Sequence, residues 1–250
     1  MKRFLILTQS LFLSYLRDGQ VLFWNLVFPV FLLVIYYVVF GETNVGGYDY
    51  MTWVTPGVVA LNILSFGLIG SAAFISTLRE QGALRRIQAT PVPTLVLFAA
   101  FVAVNLALCL AQSGLVVGFA ALVFGVSFAA APGWLIGLAV IVLASVTAVA
   151  IGQLISSVAP RFGVALAIGQ LLFFVQMFTA GLILPFDMIP DWLQRIARFM
   201  PAYAIGELTR WSLLNQALDV SPALHALVML AYTGGAAALA ARFFRWQPAP

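Results

Sequence analysis

The sequence predicts an all-α integral membrane protein with six transmembrane helices, and three observations lead to this prediction. The chain of 250 residues is 63% hydrophobic and only 8% charged, whereas soluble domains carry about 25% charged residues. Between its charged residues lie apolar runs that are long enough to cross a bilayer, since a hydrocarbon core of roughly 30 Å needs about 20 apolar helical residues. The basic residues, finally, lie mostly on one side of these runs. We therefore expect a single transmembrane domain, 1–250.

Residues 2–17 are predicted to form an interfacial helix that lies on the membrane and does not cross it. The apolar side of this helix consists of Phe4, Leu5, Leu11, Phe12, Tyr15 and Leu16. A cleaved signal peptide is disfavoured, because Thr8, Gln9 and Ser10 interrupt the apolar run and no small-residue cleavage site follows. A partly ordered tail is the alternative.

Six apolar stretches supply the predicted spans, at about residues 20–40, 51–78, 93–124, 134–158, 163–184 and 222–241. The third and fourth come from one charge-free run of 74 residues, Ile87–Pro160, which is too long for a single crossing. We divide it near Gly125–Gly133, because Pro132 would break a continuous helix. Each of the other four stretches is long enough for one crossing.

The arginines predict the orientation of the chain. With six spans, both termini lie on the same side as residues 79–90 and 159–162. That side holds nine of the twelve basic residues, Lys2, Arg3, Arg17, Arg79, Arg85, Arg86, Arg161, Arg242 and Arg245, but only two of the eight acids, Asp18 and Glu80. Because basic loops are retained in the cytoplasm, we expect both termini to be cytoplasmic, in the inner membrane of a prokaryote. The net charge of +4 thus reflects topology and is no evidence for nucleic-acid binding.

The sequence lacks the residue patterns of nucleotide-binding, metal-binding and catalytic sites. The only lysine, Lys2, is not preceded by a glycine-rich turn, so no P-loop exists to bind ATP phosphates. One cysteine, Cys109, and one histidine, His225, exclude a zinc cluster built from those ligands. No catalytic triad or carboxylate pair can be assembled either. We therefore expect neither an enzyme active site nor a metal or cofactor in this chain.

The predicted spans contain no Asp, Glu, Arg or Lys. Carriers driven by protons or sodium usually need such a group inside the bilayer, so an ion-coupled carrier is disfavoured. The polar residues that remain inside are amides such as Asn62 and Gln176, which commonly bond a neighbouring helix. The energy for transport must then come from another polypeptide, unless the chain is a passive channel or a membrane scaffold.

The stretch FISTLREQGALRRIQATPVP, Phe74–Pro93, gathers charge where the chain otherwise avoids it. It predicts a short amphipathic helix over 79–90 that ends at Thr90-Pro91, because proline cannot continue the helical hydrogen bonds. One or two arginines would suffice to orient the chain in the membrane, and Glu80 and Gly82 do not contribute to that orientation. The stretch is therefore interpreted as a contact surface for a partner.

The stretch AGLILPFDMIPDWLQRIARFMPAYAIGELTRW, Ala180–Trp211, predicts short helices on the opposite side of the membrane, within an outer segment of residues 185–219. A helix that starts at Asp191, between Pro190 and Pro201, would carry Trp192 on an apolar side. Asp191 suits the positive end of such a helix. This amphipathic segment would dip into the outer leaflet or cap a pathway, and a plain interfacial loop is the alternative.

These two stretches, in this order within six spans, resemble the permeases of ABC-2-type transporters. The first resembles the family's cytoplasmic signature, a glutamate, a glycine, a leucine and one or two arginines before Thr-Pro. The second resembles its late outer segment of spaced prolines, Trp-Leu and a terminal arginine. The match looks closest to the drug-exporter branch, and the polysaccharide-exporting branch shares the same outline.

The resemblance implies a half-transporter that pairs as a homodimer or heterodimer and binds two copies of a separate ABC ATPase, in which ATP and Mg are bound. Residues 79–90 would be the coupling helix that contacts this ATPase, through Glu80, Leu84, Arg85, Arg86 and Ile87. The outer gate would include Pro185, Pro190, Trp192 and Pro201.

The resemblance also places the translocation pathway along the second and fifth spans. The matching residues are Asn62, Phe66, Phe173, Gln176, Met177 and Thr179. Such a lining suits export of an apolar or amphipathic substrate, such as a drug, a lipid or a glycolipid-like molecule. The alternatives to this function are an ion-coupled carrier or channel, and a non-transporting scaffold.

Overall fold

The computed structural model describes residues 2–17, 19–41, 43–45, 47–84, 94–129, 133–183, 186–218 and 220–244. Its helices are α1 (Lys2–Arg17), α2 (Gly19–Leu22), α3 (Phe28–Phe40), α4 (Tyr50–Leu64), α5 (Ser71–Glu80), α6 (Thr94–Phe124), α7 (Gly133–Val158), α8 (Phe162–Thr179), α9 (Asp191–Ala197), α10 (Pro201–Leu214) and α11 (Pro222–Phe243). Two π-helical segments, Phe23–Val27 and Ser65–Gly70, connect α2 to α3 and α4 to α5. A 3-10 turn covers Phe186–Met188. The helical class agrees with the sequence prediction.

Five helices in the described part of the chain are long and apolar enough to cross a membrane. They are Tyr50–Glu80, Val96–Phe124, Gly133–Val158, Phe162–Thr179 and Pro222–Phe243, and each overlaps one of the predicted spans. The protein is thus a multi-pass membrane protein.

The first predicted span, 20–40, is not among these five helices. It corresponds to α2, the π-helical segment Phe23–Val27 and α3, of which the apolar helix Phe28–Phe40 has only 13 residues. At about 1.5 Å per residue, this helix alone is too short for a crossing. The number of six spans therefore stays a prediction.

A short β-hairpin joins α3 to α4, and the sequence did not predict it. Its strands β1 (Asn44–Val45) and β2 (Tyr48–Asp49) pair in antiparallel fashion, with Asn44 opposite Asp49. The carboxylate of Asp49 then caps α4 by accepting a hydrogen bond of 3.0 Å from the Thr52 amide. This satisfies a backbone donor that has no partner within the helix.

Helix α7 lies at the centre of the bundle and packs most extensively against α11. The hydroxyl oxygens of Thr147 on α7 and Thr233 on α11 are 2.9 Å apart, a side-chain contact of the kind that joins helices in membranes. On another side, α7 touches the π-helical segment Ser65–Gly70 backbone to backbone. A Cβ at Gly152 would overlap the carbonyl oxygen of Gly67, so this approach needs glycine at position 152.

Helix α1 packs on α6, beside the end of α5. Leu11 and Tyr15 are buried, and the Tyr15 ring stacks on Phe74 at 4.7 Å. Leu5, which was predicted on the same apolar side, is 60% exposed, and Leu16 is also exposed. The apolar residues of α1 therefore divide between a side that contacts protein and a side that is free to contact lipid.

Candidate functional site

Helix α5 ends at the charged stretch that the sequence analysis singled out. Arg79 and Glu80 are its last two residues, and not the first two of a separate helix as predicted. Gly82 follows with φ of +70°, a left-handed conformation that glycine adopts without a Cβ clash and that ends a helix. Its amide donates to the Arg79 carbonyl at 3.1 Å. Helix α5 thus continues two residues beyond residue 78, the predicted end of the second span.

Beyond this turn, Ala83 and Leu84 are helical, and the Leu84 side chain is fully buried. Three predicted coupling residues, Arg85, Arg86 and Ile87, lie outside the described residues. We use the name coupling segment for residues 81–93, which connect α5 to α6. Leu84 is its described anchor, within an apolar cluster that includes Ile75 and Phe101.

The Arg79 side chain is buried, with 2% of its surface exposed. Its Nη1 donates to the carbonyl oxygen of Ala159 at 2.9 Å, and its Nη2 donates to that of Ser156. Both acceptors lie at the C-terminal end of α7, where helix carbonyls have no partner within the helix. Arg79 is therefore a buried contact to α7, and not only a basic residue at the membrane boundary.

Glu80 is exposed, yet its carboxylate is also engaged within the protein. Its Oε1 accepts a hydrogen bond of 2.7 Å from the amide of Phe162, the first residue of α8. A carboxylate at this position satisfies an unpaired amide and suits the positive end of the helix dipole. The predicted role of Glu80 as an ATPase contact stays a prediction beside this internal role.

A groove of about 810 Å³ lies next to these contacts, and we call it the α5–α8 groove. Its aromatic lining consists of Tyr15, Trp24, Phe28, Phe66, Phe74 and Phe162. Its polar lining consists of Ser14, Ser65, Thr77, Gln81 and Gln170. This combination of apolar surface with a few neutral hydrogen-bonding groups is typical of sites for small molecules, and it suits an amphipathic ligand without a fixed charge.

Both π-helical segments contribute to the α5–α8 groove. Trp24 comes from the first, and Ser65, Phe66, Ile69 and Gly70 come from the second. A π-helical turn inserts one residue into a helix and often lies at a functional site. No periodicity in the sequence pointed to either insertion.

A second cavity, of about 570 Å³, lies between α7, α8, α10 and α11, and we call it the α8–α11 cavity. Its lining is apolar except for Gln176 and Tyr232. The Gln176 Oε1 accepts a hydrogen bond of 3.2 Å from the Ala202 amide, in the first turn of α10. Gln176 thus connects two helices, as amides inside membranes commonly do.

The six predicted pathway residues do not converge on one cavity. Phe66 lines the α5–α8 groove and Gln176 lines the α8–α11 cavity. Phe173 and Met177 are half-buried against the central core. Thr179 is buried, and its hydroxyl donates to the Val175 carbonyl at 2.7 Å.

Asn62 is half-buried on α4, and its amide nitrogen Nδ2 has no hydrogen-bond partner in the described structure. It lines neither of the two cavities. A groove thus lies between the predicted second and fifth spans, and of the predicted pathway residues Phe66 lines it. The route of a substrate stays a prediction.

The outer segment contains two helices of different exposure. Helix α9 begins at Asp191, as predicted, and carries Trp192 with 62% of its surface exposed. It ends at Ala197, earlier than the predicted stop at Pro201. Pro201 instead begins α10, where its missing amide is tolerated, and it lines the α8–α11 cavity.

Of the other predicted gate residues, Pro190 immediately precedes α9, and Pro185 lies outside the described residues. Most of α10, by contrast with α9, is buried. The outer segment therefore has one exposed helix and one helix that forms part of the core.

Arg210 on α10 is a functional-site candidate that the sequence analysis missed. It is buried, its Nη2 donates to the Gly181 carbonyl after α8, and its guanidinium lies 4.9 Å from the centre of the Trp53 ring. Glu207 lies one turn earlier, with a contact of 3.4 Å. Burial lowers the pKa of Arg210, and Glu207 partly offsets this effect. The signal in the sequence was an arginine three residues after a carboxylate in an otherwise apolar helix.

No group of three or more His, Cys, Asp or Glu side chains that could hold a metal ion occurs in the described ranges. The site is thus built from neutral polar and aromatic side chains around a groove, with one buried arginine at each end of the bundle.

A comparison with protein families gives one match. The family model described as ABC-2 type transporter matches residues 2–214, which include both charged stretches and most of the helices. No curated protein matches the chain.

Proposed function

Because the chain belongs to the ABC-2 type transporter family and is a permease subunit of such a transporter, we propose that it exports an apolar or amphipathic molecule with energy from a separate ATPase subunit. Two copies of this ATPase would bind ATP and Mg and would contact a permease homodimer or heterodimer. Both termini and the coupling segment would lie in the cytoplasm, and the membrane would be the inner membrane of a prokaryote. The drug-exporter branch is the proposed branch.

One observation carries this proposal. At this end the α5–α8 groove is lined by Thr77 and Leu78 of α5, by Gln81, which is the first residue of the coupling segment, and by Phe162 at the start of α8. A displacement of the coupling segment therefore acts directly on the wall of a cavity that fits a small amphipathic molecule. Coupling of ATP hydrolysis to transport requires a connection of this kind.

The remaining coupling contacts are proposed from the resemblance. Leu84 is buried and holds the coupling segment against α5 and α6, while Arg85, Arg86 and Ile87 would face the ATPase. Arginine suits this role, because its planar guanidinium forms paired hydrogen bonds with carboxylates on a partner surface.

The proposal is tested by filling each cavity in turn with the same substitution. Ala73 lines the α5–α8 groove and Ala231 lines the α8–α11 cavity, so Ala73→Trp and Ala231→Trp form a matched pair. Each variant is reconstituted in liposomes with the ATPase that co-purifies with the wild-type chain. Transport of rhodamine 6G and of an NBD-labelled phospholipid is measured together with ATP hydrolysis.

We expect Ala73→Trp to lower transport at least tenfold while basal ATP hydrolysis persists, because the side chain occupies the groove. Ala231→Trp should transport like the wild type. Equal transport by Ala73→Trp and the wild type would contradict a groove pathway. Rhodamine transport without phospholipid transport would favour the drug-exporter branch, and the reverse would favour a lipid branch.

Two other classes of protein have their own signatures in the same preparation. A channel would conduct ions in the purified chain without ATP, and a scaffold would bind its partner without any ATP-dependent movement of substrate. The lack of charged residues in the predicted spans disfavours the carrier, since ion-coupled carriers usually titrate such a group.

A further inference from the structure

The last two residues of α5 bind two different helices at a single turn. We propose that Arg79 and Glu80 are positioning residues that fasten the end of α5 to the connection between α7 and α8, so that these three helix ends and the start of the coupling segment move as one body. This inference rests on the proposed function, because it concerns how movement of the coupling segment reaches the α5–α8 groove.

Arg79 makes the first of the two contacts that attach α5 to this turn, and it binds the end of α7. Arg79 donates two hydrogen bonds to carbonyls at the end of that helix, Ser156 and Ala159. A cation is favoured at a helix C-terminus, both because the last carbonyls lack partners and because the helix dipole is negative there. Arg79 is almost completely buried, so water does not compete for these carbonyls.

Glu80 makes the second contact, and it binds the start of α8. Arg161 occupies the position before α8, and its side chain makes no capping hydrogen bond. Glu80 comes from a distant part of the chain and supplies the missing acceptor, at 2.7 Å from the Phe162 amide. The carboxylate also lies at the positive end of the α8 dipole, where an anion is favoured.

The two contacts act together because the connection between α7 and α8 is short. Only residues 159–161 separate the two helices, so Arg79 and Glu80 bind on either side of one three-residue turn. Adjacent residues on a helix point in directions about 100° apart, which explains how one side chain is buried under the turn while the other lies at its rim. The opposite charges of the pair match the opposite ends of the two helix dipoles.

This arrangement has a consequence for the α5–α8 groove. Two of its walls, at Thr77 and Leu78 on α5 and at Phe162 on α8, are joined at the end where Glu80 bonds to α8. The groove therefore cannot widen by separation of α5 from α8 at this end. Its opening must come from displacement of α1, the π-helical segment Phe23–Val27 and α3, which supply Ser14, Trp24 and Phe28, or from rearrangement between permease copies.

The test uses Glu80, because it is exposed and its replacement leaves no buried charge behind. Glu80→Ala removes the acceptor, and Glu80→Gln retains an oxygen acceptor but loses the charge. Arg161→Ala is the control, since it removes a charge from the same turn without removing a described hydrogen bond. Hydrogen exchange of the Phe162 amide is measured by mass spectrometry on the permease in nanodiscs, and molecules transported per ATP hydrolysed are measured on the complex in liposomes.

We expect Glu80→Ala to accelerate exchange of the Phe162 amide about tenfold or more, as loss of a hydrogen bond to a charged group implies. Transport per ATP should fall several-fold while ATP hydrolysis continues, and Glu80→Gln should recover part of both. Arg161→Ala should behave like the wild type in both measurements.

Two results would overturn the inference. One is wild-type exchange of the Phe162 amide and wild-type transport per ATP in Glu80→Ala. The other is reduced ATPase binding with unchanged exchange, which would make Glu80 a direct ATPase contact alone. If the wild-type complex transports nothing, the proposed function fails, whereas the exchange measurement on the permease still decides whether Glu80 holds α8.

Discussion

Arg210 shows at the residue scale how this protein keeps a charge inside its core. Its guanidinium contacts a backbone carbonyl, a carboxylate and the face of an aromatic ring, three environments that each favour a cation. The carbonyl belongs to Gly181, at the end of α8, and the ring belongs to Trp53, near the start of α4. One side chain therefore connects α4, α8 and α10.

Replacing Arg210 is expected to destabilise the protein strongly. Arg210→Ala would leave Glu207 and the Gly181 carbonyl without this partner, at a cost of about 3–5 kcal/mol in the free energy of unfolding. The thermal midpoint in detergent, followed by the loss of monodisperse protein, measures the effect. Arg195→Ala is the control, because Arg195 on α9 is exposed and its loss should change stability by no more than about 0.5 kcal/mol. Equal midpoints for the two variants would contradict this role of Arg210.

At the scale of the elements, the contact between the π-helical segment Ser65–Gly70 and α7 depends on small residues. Helices in a membrane gain little from burying apolar surface against one another, so close backbone approach and van der Waals contact have to hold them together. Gly67 and Gly152 provide such an approach, and Ala148 lies beside them. This contact also supports the α5–α8 groove, because the same π-helical segment lines it.

A single methyl group at this contact should disturb it. In Gly152→Ala the new Cβ overlaps the Gly67 carbonyl, and overpacking of this kind typically costs about 1–3 kcal/mol. Gly118→Ala is the matched control, because Gly118 lies in another membrane-spanning helix, α6, with open space around its Cβ position. Midpoints of thermal unfolding in detergent should fall for the first variant only. A loss of stability in both variants would point to helix packing in general, and not to this contact.

At the scale of the whole molecule, charged side chains bind helix ends at both ends of the bundle, through different contacts at each end. At one end the Arg79–Glu80 pair binds the connection between α7 and α8, and at the other Arg210 binds the turn after α8. Helix α8 is thus held by a charged side chain at both of its ends. Movement of α8 requires movement of these contacts, which links the coupling segment to the outer segment through a single helix.

The orientation of this bundle in the membrane is open to a direct test. In a Cys109→Ser background, Arg85→Cys should react with a membrane-impermeant maleimide only in permeabilised cells, because the side of the protein that carries most basic residues is expected to be cytoplasmic. Arg195→Cys should react in intact cells. The reverse pattern of labelling would overturn the predicted topology, and labelling of both positions from outside would contradict an odd number of crossings between them.

The sequence was sufficient to identify the class, five of the helices that can cross a membrane, and the two charged stretches that mark the family. These features are local, since hydropathy, charge and proline act along a segment of chain whatever it packs against. The start of α9 at Asp191 was predictable for the same reason, and so was an apolar side of α1. Packing on α6 alone decided that Leu11 and Tyr15 on this side are buried and that Leu5 and Leu16 are exposed.

The partners of the charged residues became visible only in the folded structure. From the sequence, Arg79 was interpreted as a signal for membrane topology and Glu80 as a contact for a partner protein. In the structure, both bind residues about 80 positions later in the chain. Arg210 was identified from the sequence only as the terminal arginine of the outer segment, yet it is buried against Trp53. Such contacts follow from how helices pack in three dimensions, and the pattern within one segment carries no information on which distant helix end its side chains will meet.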